Sequence, residues 1–104
     1  KWDFVLCPAA ATAAPPHMQS GERWERMLDV NGRRQPSTTQ MFWAGWTGMA
    51  GLPGTVAPIG LTKADKLPVG VQIVGPQGGD LDCIAFARLL ERDYYRFTPP
   101  PRYE

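Results

Sequence analysis

One histidine, two serines, three lysines and two cysteines are all that this 104-residue chain offers to nucleophilic or metal chemistry. Neither Ser20 nor Ser37 sits in G-x-S-x-G or another strained nucleophile turn. Lys1, Lys63 and Lys66 fall at the terminus or in a loop. Ser20, His17 and Asp29 spell a Ser–His–Asp set, but nothing in their spacing gives it a geometry. His17 reads as structural or solvated unless a partner orients it. No carboxylate pair stands out, and no cluster has metal-ligand spacing. Cys7 and Cys83 lack the paired spacing of a zinc site. They read as small buried hydrophobes, with a disulfide between them as the alternative. Neither a phosphate-binding G-x-x-x-x-G-K-[ST] loop nor a G-x-G-x-x-G turn is present.

Charge is equally sparse in what it offers. Eleven basic residues against ten acidic ones leave a net charge of +1, which argues against binding nucleic acid through its phosphates. Arg23 and Arg26 lie beside Glu22 and Glu25, and Arg92 lies beside Glu91 and Asp93, as on a solvated face. No run is long and apolar enough to span a membrane, and no signal peptide is recognisable, so a cytoplasmic location is expected. The length allows one small domain at most. The chain has no initiator Met and opens directly into a strand-like run, which raises the expectation that further sequence lies upstream.

What is present centres on Gly51–Gly75. Two apolar, β-branched runs, Thr55–Ile59 and Val69–Val74, are bounded by Gly and Pro and joined by the polar loop Thr62–Lys66. They read as buried strands. Gln72 is the only polar residue of the second run, which therefore reads as a central strand covered on both faces. After the turn Gly75–Gly79, Asp80 is placed as an N-cap with Asp82 in the first turn. The helix it opens is expected to run to about Tyr95 and to pack over that strand. Its apolar stripe is Cys83, Phe86, Ala87, Leu90 and Tyr94, widened by Leu81, Ile84 and Leu89.

Upstream, Trp2–Leu6 is a strand candidate that Pro8 stops. Ala9–Pro16 reads as a loop pressed against the body of the protein. Asn31-Gly32 predicts a hairpin between Met27–Val30 and Arg33–Gln35, ended by Pro36. A helical turn over Glu22–Met27 competes with it, since Glu22 and Arg26 stand four apart. Ser37-Thr38-Thr39 is an N-cap cluster before a helix over Gln40–Ala50, with Gly51 as C-cap and Pro53 barring continuation. Met41, Phe42, Gly45, Trp46 and Met49 fall on one face of that helix. The face is either an ordinary core contact or the wall of a pocket. Phe97–Glu104 reads as an extended, Pro-rich tail.

G-L-P-G-T-V-A-P-I-G from Gly51 and L-P-V-G-V-Q-I-V-G-P from Leu67, followed by an acidic residue opening a helix that ends in L-L-E, resemble the C-terminal segment of the amidase signature family. Asp3–Pro8 and the Ala/Pro-rich loop fit the same place, so the likeness covers roughly Asp3 to Arg92. It implies an α/β fold, a large mixed sheet flanked by helices, of which residues 1–96 are the C-terminal part and 97–104 a tail. It implies hydrolysis of a carboxylic amide to an acid and ammonia or amine, with no metal and no cofactor. That family uses a nucleophilic serine, a bridging serine in a cis peptide and a lysine, all upstream of the matched segment. No catalytic residue is therefore expected in this chain, which alone would be inactive. By position, Met41, Phe42, Gly45 and Trp46 inherit part of the acyl-pocket wall, which would suit an apolar or aromatic acyl group. Gly48 departs from the family, which often has Asn a few residues before G-L-P. The implied partners are the remainder of an amidase chain or a second copy, and a small amide substrate, with no nucleic acid and no membrane. The alternative is a stand-alone interaction or structural module that uses its four Trp residues and Pro-rich ends as contacts.

Overall fold

The apolar run that ends at Val74 is the middle of a three-stranded sheet. The computed structural model describes residues 2–103. Its strands are β1 (Val5–Pro8), β2 (Met27–Val30), β3 (Arg33–Pro36), β4 (Gly54–Leu61) and β5 (Pro68–Val74), and its helices are α1 (Phe42–Ala50) and α2 (Asp80–Asp93). Strand order in the larger sheet is β1-β5-β4, and β2 and β3 form a separate ribbon. All pairings among the described residues are antiparallel. A sheet with a helix packed on it is consistent with the α/β class expected from the sequence. The positions of Lys1 and of Glu104, the end of the expected tail, lie outside the described residues.

Side chains of β5 alternate between two faces. Val71 and Ile73 point to α2, where Ile73, Ala57 and Cys83 form the buried centre with Phe4, Phe86, Ala87 and Leu90 around them. Ile73 and Cys83 are fully buried, and the rings of Phe4 and Phe86 stack at 5.1 Å. Gln72 and Val74 point the other way. The expected central strand and its covering helix are thus both present.

Element ends differ from expectation for local reasons. The first strand is Val5–Pro8 and not Trp2–Leu6, and Pro8 sits inside it, opposite Val71. An edge strand tolerates a residue without an N–H. β4 extends past Thr55–Ile59 at both ends: Gly54 pairs with Val74 at its start, and a bulge between Pro58 and Gly60 absorbs Ile59 and lets the strand run on to Leu61. Thr62 N–H donates to the Leu67 carbonyl, and Leu67 N–H donates to the Thr62 hydroxyl, closing the β4–β5 loop. The Ala-rich loop lies against the start of β5, where Ala9–Ala14 share a groove with Pro68, Val69 and Gly70.

α2 begins at Asp80, one residue earlier than placed, with Gly79 at the N-cap and no side-chain cap. The preceding turn sets this. Gly79 N–H donates to the Pro76 carbonyl, and Gly78 takes φ 78, where glycine is favoured. α2 stops at Asp93 rather than Tyr95 because the N–H groups of Tyr94 and Tyr95 converge on one acceptor, the Leu90 carbonyl. Of the anticipated stripe, Cys83, Phe86, Ala87 and Leu90 reach the core. Tyr94, Leu81, Ile84 and Leu89 are exposed, because a single three-stranded sheet covers only one side of the helix.

The ribbon forms as the Asn-Gly signal requires. Asn31 and Gly32 both have positive φ, and Gly32 N–H donates to the Asp29 carboxylate at 2.8 Å. Its competitor is realised beside it and not in place of it. Arg23–Glu25 is a single 3₁₀ turn, and Glu22 N–H donates to the Glu25 carboxylate. The sole ion pair among the described residues is Arg92–Asp93, on the surface, where such pairs contribute little.

Candidate functional site

Helix α1 carries Phe42, Gly45 and Trp46 of the four residues singled out from the sequence, and Met41 ends the turn just before it. Its start is later than expected. Ser37–Met41 is a 3₁₀ turn, and no side chain caps either helical segment. Thr39, which could have capped, instead donates its hydroxyl back to the Pro36 carbonyl. The end of α1 is as expected. Gly51 takes φ 64, its N–H donates to the Gly48 carbonyl, and Leu52 N–H donates to the Thr47 carbonyl. This pair of bonds is the Schellman arrangement, and Pro53 follows it.

Met41, Phe42, Gly45 and Trp46 come together with Met49 and Ala50 around one open, apolar groove of about 610 Å³. The stripe is not a core contact. Met49 is 93% exposed, and Met41 and Phe42 are exposed as well. The buried side of α1 is marked by Thr47 and the half-buried Trp43, one turn apart, and Trp46 is half-buried at its border with the groove. The groove offers apolar surface and no ionisable group, so it can hold an apolar moiety but cannot itself do acid–base or nucleophilic chemistry. Trp46 Nε1 is buried without an acceptor, as is Arg26 Nε in a second, more polar cleft.

One polar residue beside α1, Gln72, stands out in the sequence without a role there. Gln72 is 6% exposed, and its Nε2 donates to the Trp43 carbonyl at 2.8 Å and toward Cys7 Sγ at 3.4 Å. The available signal was its isolation in an otherwise apolar central strand.

The remaining candidates do not assemble. His17 and Ser20 line a cleft with Arg26 and Arg34, but Asp29 is absent from it and serves the ribbon turn instead. Lys63 and Lys66 flank the β4–β5 turn. Among the described residues no group of three or more His, Cys, Asp and Glu side chains comes together, and no helix is long and apolar enough to cross a membrane.

Cys7 and Cys83 are free and buried, so they are not joined as a disulfide. Burial pushes the Cys83 thiol above its ordinary range, and the negative charges of Asp80 and Asp82 push it further. The stability carried by this neutral thiol is present below the ordinary thiol pKa and lost as the pH rises through the raised value. Iodoacetamide at about pH 8 is therefore expected to leave Cys83 unmodified in the native protein and to label it only in denaturant. Mass spectrometry of the peptide decides this, and prompt native labelling would contradict it.

Comparison with known proteins follows the same lines. A family model described as Amidase matches residues 1–84. The chain is 29% identical over 91 residues to the AtzE subunit of 1-carboxybiuret hydrolase from Pseudomonas sp. (strain ADP), covering 86% of this chain and 19% of that protein. It is 38% identical over 53 residues to mandelamide hydrolase of Pseudomonas putida, covering 51% of this chain and 10% of that protein. It is 49% identical over 43 residues to indoleacetamide hydrolase of Agrobacterium vitis, covering 41% of this chain and 9% of that protein. The chain thus spans no more than 19% of the length of these relatives. The family match runs from the first strand, through the groove helix and the Gly-Leu-Pro stretch, to the first turn of α2, and on that evidence the chain belongs to the amidase family.

Proposed function

We propose that this chain is the C-terminal part of an amidase that hydrolyses a carboxylic amide to an acid and ammonia or amine. In this reading residues 1–96 supply strands to a larger mixed sheet and one wall of the acyl pocket, and 97–104 form a tail. The catalytic groups belong to another part of the protein. The observation that carries the reading is the α1 groove. Met41, Phe42, Gly45 and Trp46 share one open apolar concavity, on the helix that leads into Gly-Leu-Pro. The names of the relatives do not agree on an acyl group, so the lining of the groove is the better guide. An uncharged wall of Met, Phe and Trp favours an apolar or aromatic acyl group by simple burial. The buried Trp46 Nε1 and Arg26 Nε are where acceptors from the rest of the protein would be expected.

Gly45 provides the test. A Cβ added there meets nothing within 4 Å, so the position accepts a side chain without disturbing the fold. Gly45→Phe would fill the groove. Burying a phenyl group is worth about 2 kcal/mol, so KM for phenylacetamide should rise about 30-fold in the protein that carries this chain. Acetamide, too small to use the groove, should be affected far less. Ammonia release reports both. No release from either amide by the unsubstituted protein would overturn the reading, and so would an unchanged ratio between the two amides.

A further inference from the structure

We infer that Gln72 is a positioning residue that sets the placement of α1, and with it the shape of the apolar groove. The inference rests on the amidase reading only where it assigns the groove to the acyl group. Gln72 stands at the centre of β5, on the face away from α2, with Cys7 opposite it on β1 and Val56 opposite it on β4. Its carboxamide is confined on three sides. Nε2 donates to the Trp43 carbonyl at 2.8 Å and approaches Cys7 Sγ at 3.4 Å. Gly54 closes the third side, since a Cβ there would lie 3.4 Å from Oε1.

An aliphatic side chain would suit this strand and avoid desolvating an amide. The amide does what an aliphatic group cannot, which is to grip a backbone carbonyl in the first turn of α1. This is the one hydrogen bond between α1 and the sheet among the described residues. Its effect follows from helix geometry. Trp43 and Thr47 lie one turn apart on the side of α1 that is turned inward, Phe42, Gly45 and Met49 of the groove lie on the exposed side, and the half-buried Trp46 stands at the boundary. A rotation of α1 by one residue position would carry side chains between the two sides. Apolar contacts alone fix such a rotation loosely, because they are not directional. A hydrogen bond of defined length and angle fixes it.

The test uses Gln72→Met, which keeps the volume and loses the donor, in the protein that carries this chain. Hydrogen exchange is followed separately in peptides from α1 and from β5. Exchange in α1 should accelerate at least tenfold while β5 is unchanged. KM for phenylacetamide should rise about fivefold to tenfold, with kcat for acetamide unaltered. Gln72→Asn keeps the amide but shortens its reach, and should give the same pattern at smaller amplitude. That variant decides the matter if Gln72→Met does not fold. Unchanged exchange in α1 overturns the inference. Equal acceleration in α1 and β5 also overturns it, since that is what a merely structural residue would give. Faster α1 exchange with no change in the ratio of the two KM values overturns the link to the groove. If the unsubstituted protein hydrolyses no amide, the amidase reading fails, and the exchange measurement still decides whether Gln72 places α1.

Discussion

Gly75→Ala is expected to lower the unfolding free energy of the protein by roughly 3 kcal/mol, the upper end of what overpacking a core costs. The methyl group would stand 2.6 Å from Cys83 Sγ, with the Gly79 carbonyl and the Phe4 ring next nearest. Neither side can yield easily. Gly75 N–H donates to the Pro53 carbonyl, which ties the end of β5 to the start of β4. Cys83 is fully buried against Ile73 and Ala57. Cys83→Ala alone should cost about 1–2 kcal/mol for the small void left by the sulfur. Together the two substitutions should be less harmful than Gly75→Ala alone, because the new methyl occupies the space the sulfur vacates. Denaturant melts of all four proteins give the coupling energy. Simple additivity would mean that the clash is relieved elsewhere.

The 104-residue chain, purified alone, is expected to release no ammonia from any amide and to self-associate. Among the described residues, Ile73 and Cys83 are the largest side chains that are fully buried, while Trp2 on the N-terminal arm, Leu81 on α2 and Met49 on α1 are almost wholly exposed. β1 and β4 each have an edge without a partner among the described residues. Open edges beside exposed apolar side chains are templates for association. Sedimentation should therefore show species larger than one chain, and heating should give a broad, uncooperative transition. A monomer with a sharp melt would favour the stand-alone module and remove the reason for seeking the rest of an amidase.

Features decided by short-range chemistry were legible in the sequence. Asn31-Gly32 demanded its turn, Gly51 its left-handed cap, and the β-branched run before Val74 its central place. Helix starts were less legible, because they depend on which turn precedes them. The Pro76–Gly79 turn moved the α2 start by one residue, and Thr39 donated where it could have capped. Faces were the harder matter. Periodicity showed that Met41, Phe42, Gly45, Trp46 and Met49 share a side of α1, but not whether that side meets a core. Leu81, Ile84 and Leu89 read as core for the same reason, since an apolar residue looks alike whether its partner lies in this chain or outside it. Gln72 escaped because its partner is a backbone carbonyl 29 residues away, which leaves no trace in composition or spacing.

The two sides of α1 divide its labour by rows. Trp43 and Thr47 belong to the row turned inward, while Met41, Phe42, Gly45 and Met49 stand clear of the sheet. Variation in the second row therefore leaves the first undisturbed. A library randomised at those four positions can explore many groove shapes on an unchanged fold. That is the condition under which a scaffold evolves new preferences by drift and selection without first having to be restabilised.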